Sequence, residues 1–312
     1  MANCHKLFQD FQDAISIESS KKGRMRNSKE GLRKRIRKWF KENHPDYVPK
    51  FYIQGSHKMG TGIKTKDDIC DLDDGVYFFR EPDVTATTLQ SWVWDAVDGY
   101  TSTSPEHRKK CIRSIFANDY EVDNPVYFKI DGKSYQLAVK GIGWKDDDPK
   151  QMVDWFNKKK DKDGKLVKHV QYLKCWGDYK PNKMPSGLAM TILAANAKDK
   201  IVLNERDDIT LRDILKEIKK ALDIKFQCIV PALPNDDLFK DYDGTKFLSA
   251  LDEFIQDADS ALKEENELKS SKLWRKHLGN RFPLGQDKKE ESKSRAATAT
   301  AIGAATSNPW GE

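Results

Sequence analysis

The sequence has no uninterrupted apolar run near the roughly eighteen residues a membrane-spanning helix needs, and no N-terminal stretch joining a basic start to a short apolar core. The expectation is a cytosolic protein with no membrane role. Cysteine is scarce: five in 312 residues, Cys4, Cys70, Cys111, Cys175 and Cys228, far apart and without a CxxC pair. That spacing suggests neither a disulfide framework nor a zinc site. Charge of one sign is lacking too. The net charge of +6 is small for a chain in which 33% of residues are charged, so the balance fits polyphosphate ligands as well as nucleic acid. No internal repeat is present.

What is there changes character along the chain. The segment "KKGRMRNSKEGLRKRIRKWFK", residues 21–41, is dense in Lys and Arg, yet Leu32, Ile36, Trp39 and Phe40 fall at helical spacing. One side should pack while the basic side chains face water or an anion. Helices are predicted over "CHKLFQDFQDAISI" and "NSKEGLRKRIRKWFKENHP", the second capped by Asn27 or Ser28 and stopped at His44-Pro45. From Tyr47 to about Val139 the pattern is strand-like, in "YVPKFYIQG", "CDLDDGVYFFR", "YEVDNPVYFKID" and "GKSYQLAVKG", with a helix supplied between Thr85 and Asn118. From Pro149 onward the period is helical. The expected organisation is a mixed α/β core with its N-terminal helices over 1–148, a helical lobe over 149–286 and a disordered tail over 287–312, whose charged and then small-residue composition cannot bury enough surface to order itself.

The stretch "QGSHKMGTGIKTKDDICDLDDGVYFF", residues 54–79, carries the chemistry. In a strand, residues two apart share a side, so Asp71 and Asp73 project together while Leu72 and Asp74 face the other way. Two carboxylates in one small volume repel unless cations sit between them. Mg²⁺ takes oxygen ligands and is often held by one or two carboxylates plus substrate phosphates. Upstream, Gln54, Gly55 and Ser56 end a strand, where a glycine lets backbone N–H groups turn toward an anion with a hydroxyl beside them. Asp123, in "YEVDNPVYF", is the candidate third carboxylate, and Pro125 after it favours a sheet edge. Three such ligands make a two-metal site suited to in-line phosphoryl transfer. Asp146–Asp148 before Pro149 reads as a solvated loop, and "DKDG" at 161–164 as a turn without the later glutamate of a calcium loop.

Together, "GSHKMGT…DLDDGVYF", "VDNPVYF", "YLKCWGDY…PSGLAMTILA" and "LWRKHLGNRFP" resemble the bacterial cGAS/DncV-like nucleotidyltransferases, in particular the branch that includes bacterial cyclic-GMP-AMP synthase. The resemblance runs from about the first helix to Pro283. It implies an α+β, bilobed enzyme: a polymerase-β-like nucleotidyltransferase core of mixed sheet and helices, a helical C-terminal lobe, and an active site in the cleft between them. On the motif match, Asp71, Asp73 and Asp123 are the metal ligands for two Mg²⁺ ions, with Mn²⁺ as the alternative. Gln54, Gly55 and Ser56 hold the donor phosphates with Lys58 close by, Lys174 reaches the triphosphate, and Ser186 contacts phosphate from a helix start where serine is also a routine cap. The stretch "VPALPNDDLFKD" resembles a family loop that approaches the base, which makes Asp237 a candidate there. The strand "KSYQLAVKG" would put Gln136 or Ala138 at the third ligand; "VDNPVYF" is preferred because it carries the Asp-x-Pro form directly.

The implied activity is template-independent joining of NTPs, ATP and GTP or others, into a cyclic di- or trinucleotide second messenger for anti-phage defence, with pyrophosphate released and no nucleic acid required. The alternatives are a linear oligonucleotide or RNA 3′-end nucleotidyltransferase and a silent nucleotide-binding module. Relatives are often encoded beside ubiquitin-ligase-like proteins that act on their C-termini, so the tail, with Trp310 and Gly311 in its closing "NPWGE", is a candidate handle for such a partner.

Overall fold

The computed structural model of the chain describes residues 2–117 and 119–288. Helices α1 (His5–Ile15) and α2 (Ser19–Asn43) lead into β1 (Lys50–Ile53), the short α3 (Gly55–Met59) and β2 (Cys70–Phe78). Then come α4 (Ala86–Val97), β3 (Glu106–His107), β4 (Ile112–Phe116), β5 (Tyr120–Asn124), β6 (Val126–Phe128), β7 (Gln136–Val139) and β8 (Gly143–Asp146). The rest is helical: α5 (Pro149–Lys159), α6 (Lys165–Tyr179), α7 (Gly187–Lys198), α8 (Asp207–Ile224), α9 (Thr245–Lys263) and α10 (Glu267–Leu278). The architecture is α+β, a mixed sheet with helices beside a helical lobe. The tail from residue 289, with the proposed partner handle at Trp310, lies outside the described residues.

The sheet runs β3-β4-β5-β2-β6-β7-β8, with β1 antiparallel on β2. Strand β2 is therefore central, and the carboxylate motif lies on the best-supported strand of the sheet. It pairs in parallel with β5 through Asp73↔Asp123 and with β6 through Val76↔Val126. Pro125, expected at an edge, instead lies between β5 and β6 in the interior. The reason is a substitution of donors. At this register the Asp74 carbonyl would accept from the N–H of residue 125, which proline lacks; the Asn124 side-chain amide donates to it instead at 2.7 Å. The Pro125 carbonyl still accepts from Val76 N–H at 2.8 Å, so the ladder continues past the proline.

Helix α2 starts eight residues before the expected cap, at Ser19. Asn27 and Ser28 lie inside it because tertiary contacts outweigh their capping preference: Met25 is fully buried and Ser28 Oγ bonds Tyr120 Oη at 2.7 Å. Leu32, Ile36 and Phe40 pack on the sheet in one cluster with Val76 and Phe78, and Trp39 is half-buried against it. Most of the basic residues are exposed, as expected, and a few turn inward. Lys21 is buried against Asp68 and Asp119, and Arg33 donates to both oxygens of buried Asp74 at 2.7 and 2.5 Å. Arg35 donates to the carbonyls of Ala96 and Asp98. A minority of the positive charge on this helix thus ties it to β2, to loops beside the sheet and to the end of α4.

Helix α1, grouped with the sheet half in the sequence reading, packs elsewhere. Its Phe8, Phe11 and Ile15 join the helical core with Tyr172, Trp274 and Phe282. Phe8 meets Phe282 edge-on at 4.9 Å and Trp274 at 5.1 Å. The chain thus begins on the helical lobe and crosses to the sheet before returning. Among the described residues no helix is long and apolar enough to cross a membrane.

Candidate active site

Strand β1 runs into α3 through Gly55, whose φ of +59° favours glycine. Space demands glycine as well, since a Cβ there would lie 2.0 Å from Asp73 Oδ2. The Gly-Ser element and the Asp-x-Asp element are therefore in contact, and the turn seats the carboxylate. Gln54 N–H donates to the Asp73 carbonyl at 3.1 Å. The Gln54 side chain is committed to the sheet: its Oε1 accepts from Tyr77 Oη at 2.7 Å and its Nε2 donates to Tyr127 Oη at 3.2 Å. Tyr77 and Tyr127 stack at 4.6 Å, and Tyr127 donates to Asp147 at 2.7 Å.

Asp71 is exposed, Asp73 half-exposed and Asp74 buried on the opposite side. This is the alternation a strand imposes. Burial and the neighbouring carboxylates of Asp71 and Asp123 push the Asp73 carboxyl up to about 7, against the opposing pull of Lys174 and Arg113. The Asp123 carboxylate is itself held by an arginine. Arg113, opposite it across the β4–β5 ladder, donates from Nε to Oδ1 and from Nη2 to Oδ2, both at 2.7 Å, and also pairs with Glu121. Gln136 lies on β7, which pairs with β6 and β8 and has no register with β2.

A cavity of about 680 Å³ opens over these residues. Gln54, Gly55, Ser56, Asp71, Asp73, Asp123 and Lys174 all line it, and Asp147, Asp178 and Leu233 carry its wall into the helical side. Lys174 enters from α6. Burial lowers its pKa, opposed by Asp71 and Asp73, and its Nζ donates to the Thr61 carbonyl at 3.0 Å. Its chain packs where a Cβ on Gly187 would lie 3.2 Å from Lys174 Cε. Ser186 caps α7 by accepting from Ala189 N–H at 3.2 Å and stands just outside the cavity wall, between Pro185 and Gly187, which line it.

Besides Ser186, two expected residues are not brought in. Lys58 is exposed on α3 and does not line the cavity. Asp237 is not in the wall either; one carboxylate oxygen accepts from Cys228 N–H at 2.8 Å and Phe239 N–H at 2.9 Å, so it shapes its own loop. Conversely, Asp147, expected in a solvated loop, is half-buried in the wall, and Asp148 caps α5 by accepting from Gln151 N–H. Arg113 was missed for want of the β4–β5 hairpin. Once "IRSIF" is paired with "YEVDN", an arginine opposite the aspartate follows from the register.

The donor set suits a hard divalent cation in part. Asp71 and Asp73 offer oxygen ligands on one side of one strand. Among the described residues, however, no group of three or more His, Cys, Asp or Glu is gathered as a metal site. The Asp123 oxygens are turned into Arg113.

Residues 49–127, from just before β1 into β6, match the family model for the nucleotidyltransferase domain of DncV-like cyclic GMP-AMP synthases. Over that span the chain is similar to the DncV-like nucleotidyltransferase domain. That span holds Gly55, Ser56 and all three aspartates. A cyclic GMP-AMP synthase of Escherichia albertii is 31% identical over 194 residues, 56% of this chain and 43% of that protein, so the match spans less than half of the relative's length. Among solved structures, Vibrio cholerae DncV in its 3′-deoxy GTP bound form superposes with a TM-score of 0.80 at 18% identity, over 90% of this chain and 96% of that one. Escherichia coli DncV in the corresponding form gives 0.74 at 17% identity, over 86% and 93%. At such identities the likeness is one of fold: a polymerase-β-like core with a helical lobe, extending beyond the matched domain to most of the chain.

Proposed function

We propose that this protein is a template-independent nucleotidyltransferase that joins NTPs into a cyclic di- or trinucleotide. The observation that carries the reading is the placement of Asp71, Asp73 and Asp123 on adjacent central strands, facing Lys174 across one cavity that the Gly55–Ser56 turn borders. Its volume of about 680 Å³ falls within the range of small-molecule sites. Vibrio cholerae DncV has been solved with a linear intermediate, pppA(3′,5′)pG, which supports a two-step course for a similar fold.

In this reading the donor triphosphate lies against Ser56 and the N-terminal turn of α3, with Lys174 turning from the Thr61 carbonyl to a phosphate oxygen. Asp71 and Asp73 face the α-phosphate, and Asp123 joins them when Arg113 shifts its grip toward Glu121. Two divalent ions, Mg²⁺ or Mn²⁺, held by these aspartates would neutralise phosphate charge and acidify the attacking ribose hydroxyl. The protein's own part is to orient the nucleotides and screen their charge. A linear product turning over in the same cavity would then close the ring. The product would act as a cytosolic second messenger in anti-phage defence.

The test is incubation of purified protein with each labelled NTP combination and a divalent ion, followed by phosphatase treatment. Phosphatase-resistant cyclic products are expected without added nucleic acid. Products that appear only with RNA, or remain phosphatase-sensitive, would replace this reading with a linear or RNA-end nucleotidyltransferase.

A further inference from the structure

The stretch "LWRKHLGNRFP" near the end of the helical lobe has no part in the chemistry above, yet its Arg281 reaches across to the other lobe. Residues 60–69 join α3 to β2 with no helix or strand of their own, so their backbone groups need outside partners. The helical side supplies them. Lys174 Nζ donates to the Thr61 carbonyl at 3.0 Å and Gln171 Nε2 to the Gly62 carbonyl at 2.9 Å. Arg281 Nη1 donates to the carbonyls of Lys64 at 2.5 Å and Thr65 at 3.0 Å. Its Nη2 pairs with Asp178 at 3.5 Å, and Asp178 Oδ2 accepts from Lys66 N–H at 2.5 Å.

We propose that Arg281 and Asp178 are positioning residues, which clamp the 64–66 backbone to the helical lobe and thereby fix where Asp71 and Asp73 stand relative to Lys174. The lever is short. Thr65 N–H donates to the Ile69 carbonyl at 3.0 Å and Ile69 N–H to Thr65 Oγ1 at 3.1 Å, closing a turn that delivers the chain to Cys70, the first residue of β2. Thr65 and Asp178 line the same cavity as the two aspartates. Arg281 is itself held in place, because the next residue, Phe282, is fully buried between Phe8 and Phe11 and its carbonyl accepts from Arg275 at 2.9 Å. A guanidinium fork suits the task, since it serves two carbonyls and a carboxylate from one plane where an ammonium cannot.

The catalytic consequence rests on the nucleotidyltransferase reading; the clamp itself does not. The experiment is amide hydrogen exchange on the full chain for wild type, Arg281→Ala, Arg281→Lys and Asp178→Asn. Lys276→Ala is the control, a charge removed from α10 whose ion pairs are with Glu253 and Asp257. In Arg281→Ala the amides of 64–69 should exchange about tenfold faster or more while α8 and α9 keep their protection. Arg281→Lys should fall in between, and Lys276→Ala should match wild type. With NTPs, kcat should fall about tenfold or more in Arg281→Ala, with KM changed less than about threefold, since small displacements of reacting groups tax the chemical step. Unchanged exchange at 64–69, or an equal rise over the whole chain, would overturn the clamp, as would a loss confined to KM. If Arg281→Ala does not fold, Arg281→Lys and Asp178→Asn decide by the same readouts. Wild type without NTP turnover would remove the catalytic reading and leave the exchange result to judge the clamp.

Discussion

Arg113 grips both oxygens of Asp123 at 2.7 Å, on the strand directly beside Asp73. An arginine thus occupies the third carboxylate of the motif, and any cation that recruits Asp123 must share it or displace Arg113 toward Glu121, its other partner. Removing the guanidinium leaves the three aspartates with less compensation. Arg113→Met should therefore lower stability in the absence of divalent ions, since an unpaired, partly buried charge costs about 3–5 kcal/mol at most. Mg²⁺ should raise its melting temperature more than it raises that of wild type. Thermal unfolding with and without Mg²⁺ checks this, and equal shifts in the two proteins would mean that Arg113 does not compete for Asp123. Asp71→Asn, Asp73→Asn and Asp123→Asn should each nearly abolish product.

Gly55 faces a stricter demand than its neighbours. A side chain there meets the Asp73 carboxylate at 2.0 Å and sits at positive φ, whereas Gly60 has positive φ but nothing within 4 Å of a Cβ. Gly60→Ala measures the conformational cost alone, about 1 kcal/mol. Gly55→Ala adds the clash and should cost more, with product loss beyond what its melting temperature explains, because Asp73 must move. Equal costs in the two variants would separate the Gly-Ser turn from the carboxylate.

Lys174 and Ser186 stand differently toward the cavity, and their alanine variants should differ. Lys174 Nζ lies in the wall with Asp71 and Asp73 nearby, so Lys174→Ala should weaken NTP binding about tenfold or more, as loss of a charged contact to phosphate does. Ser186→Ala removes the α7 cap and should cost about 1 kcal/mol of stability, with a smaller change in NTP affinity. Calorimetric titration with a non-hydrolysable NTP distinguishes the two. A larger affinity loss in Ser186→Ala would reverse their roles.

The carboxylate strand was legible because period-two alternation sends Asp71 and Asp73 one way and Leu72 and Asp74 the other, and burial follows that pattern. Asp74 was legible only by half. Its side was predicted, but not Arg33, which comes from a helix far upstream and holds both of its oxygens; Asp74→Asn should cost stability by leaving a half-buried arginine part-paired. Pro125 misled for a related reason: a proline argues for an edge unless another donor replaces its N–H, and that donor is the side chain of Asn124. Lys58 and Asp237 were placed by motif order alone. Whether a side chain in a loop turns toward a cavity depends on tertiary partners that local sequence does not encode.

His277 gives the chain a pH dependence remote from the cleft. It is fully buried on α10, stacks on Phe254 at 4.3 Å and bonds Asp257 through Nε2 at 2.7 Å, while its Nδ1 has no partner. Burial lowers its pKa to about 4, with Lys180 adding to the effect and Asp257 and Glu253 opposing it. The folded protein therefore keeps this imidazole neutral at pH values where the unfolded chain, with a pKa near 6.5, takes up a proton. Between those two values the unfolded state binds more protons, so stability rises with pH across the window and is lost as pH falls from about 6.5 toward 4. The full effect is about 3 kcal/mol at most. Gln at this position can still donate to Asp257 but does not titrate. Urea unfolding at about pH 7.5, 6, 5 and 4.5 should show His277→Gln losing less stability on acidification than wild type, and parallel losses would mean that His277 takes up its proton equally in both states.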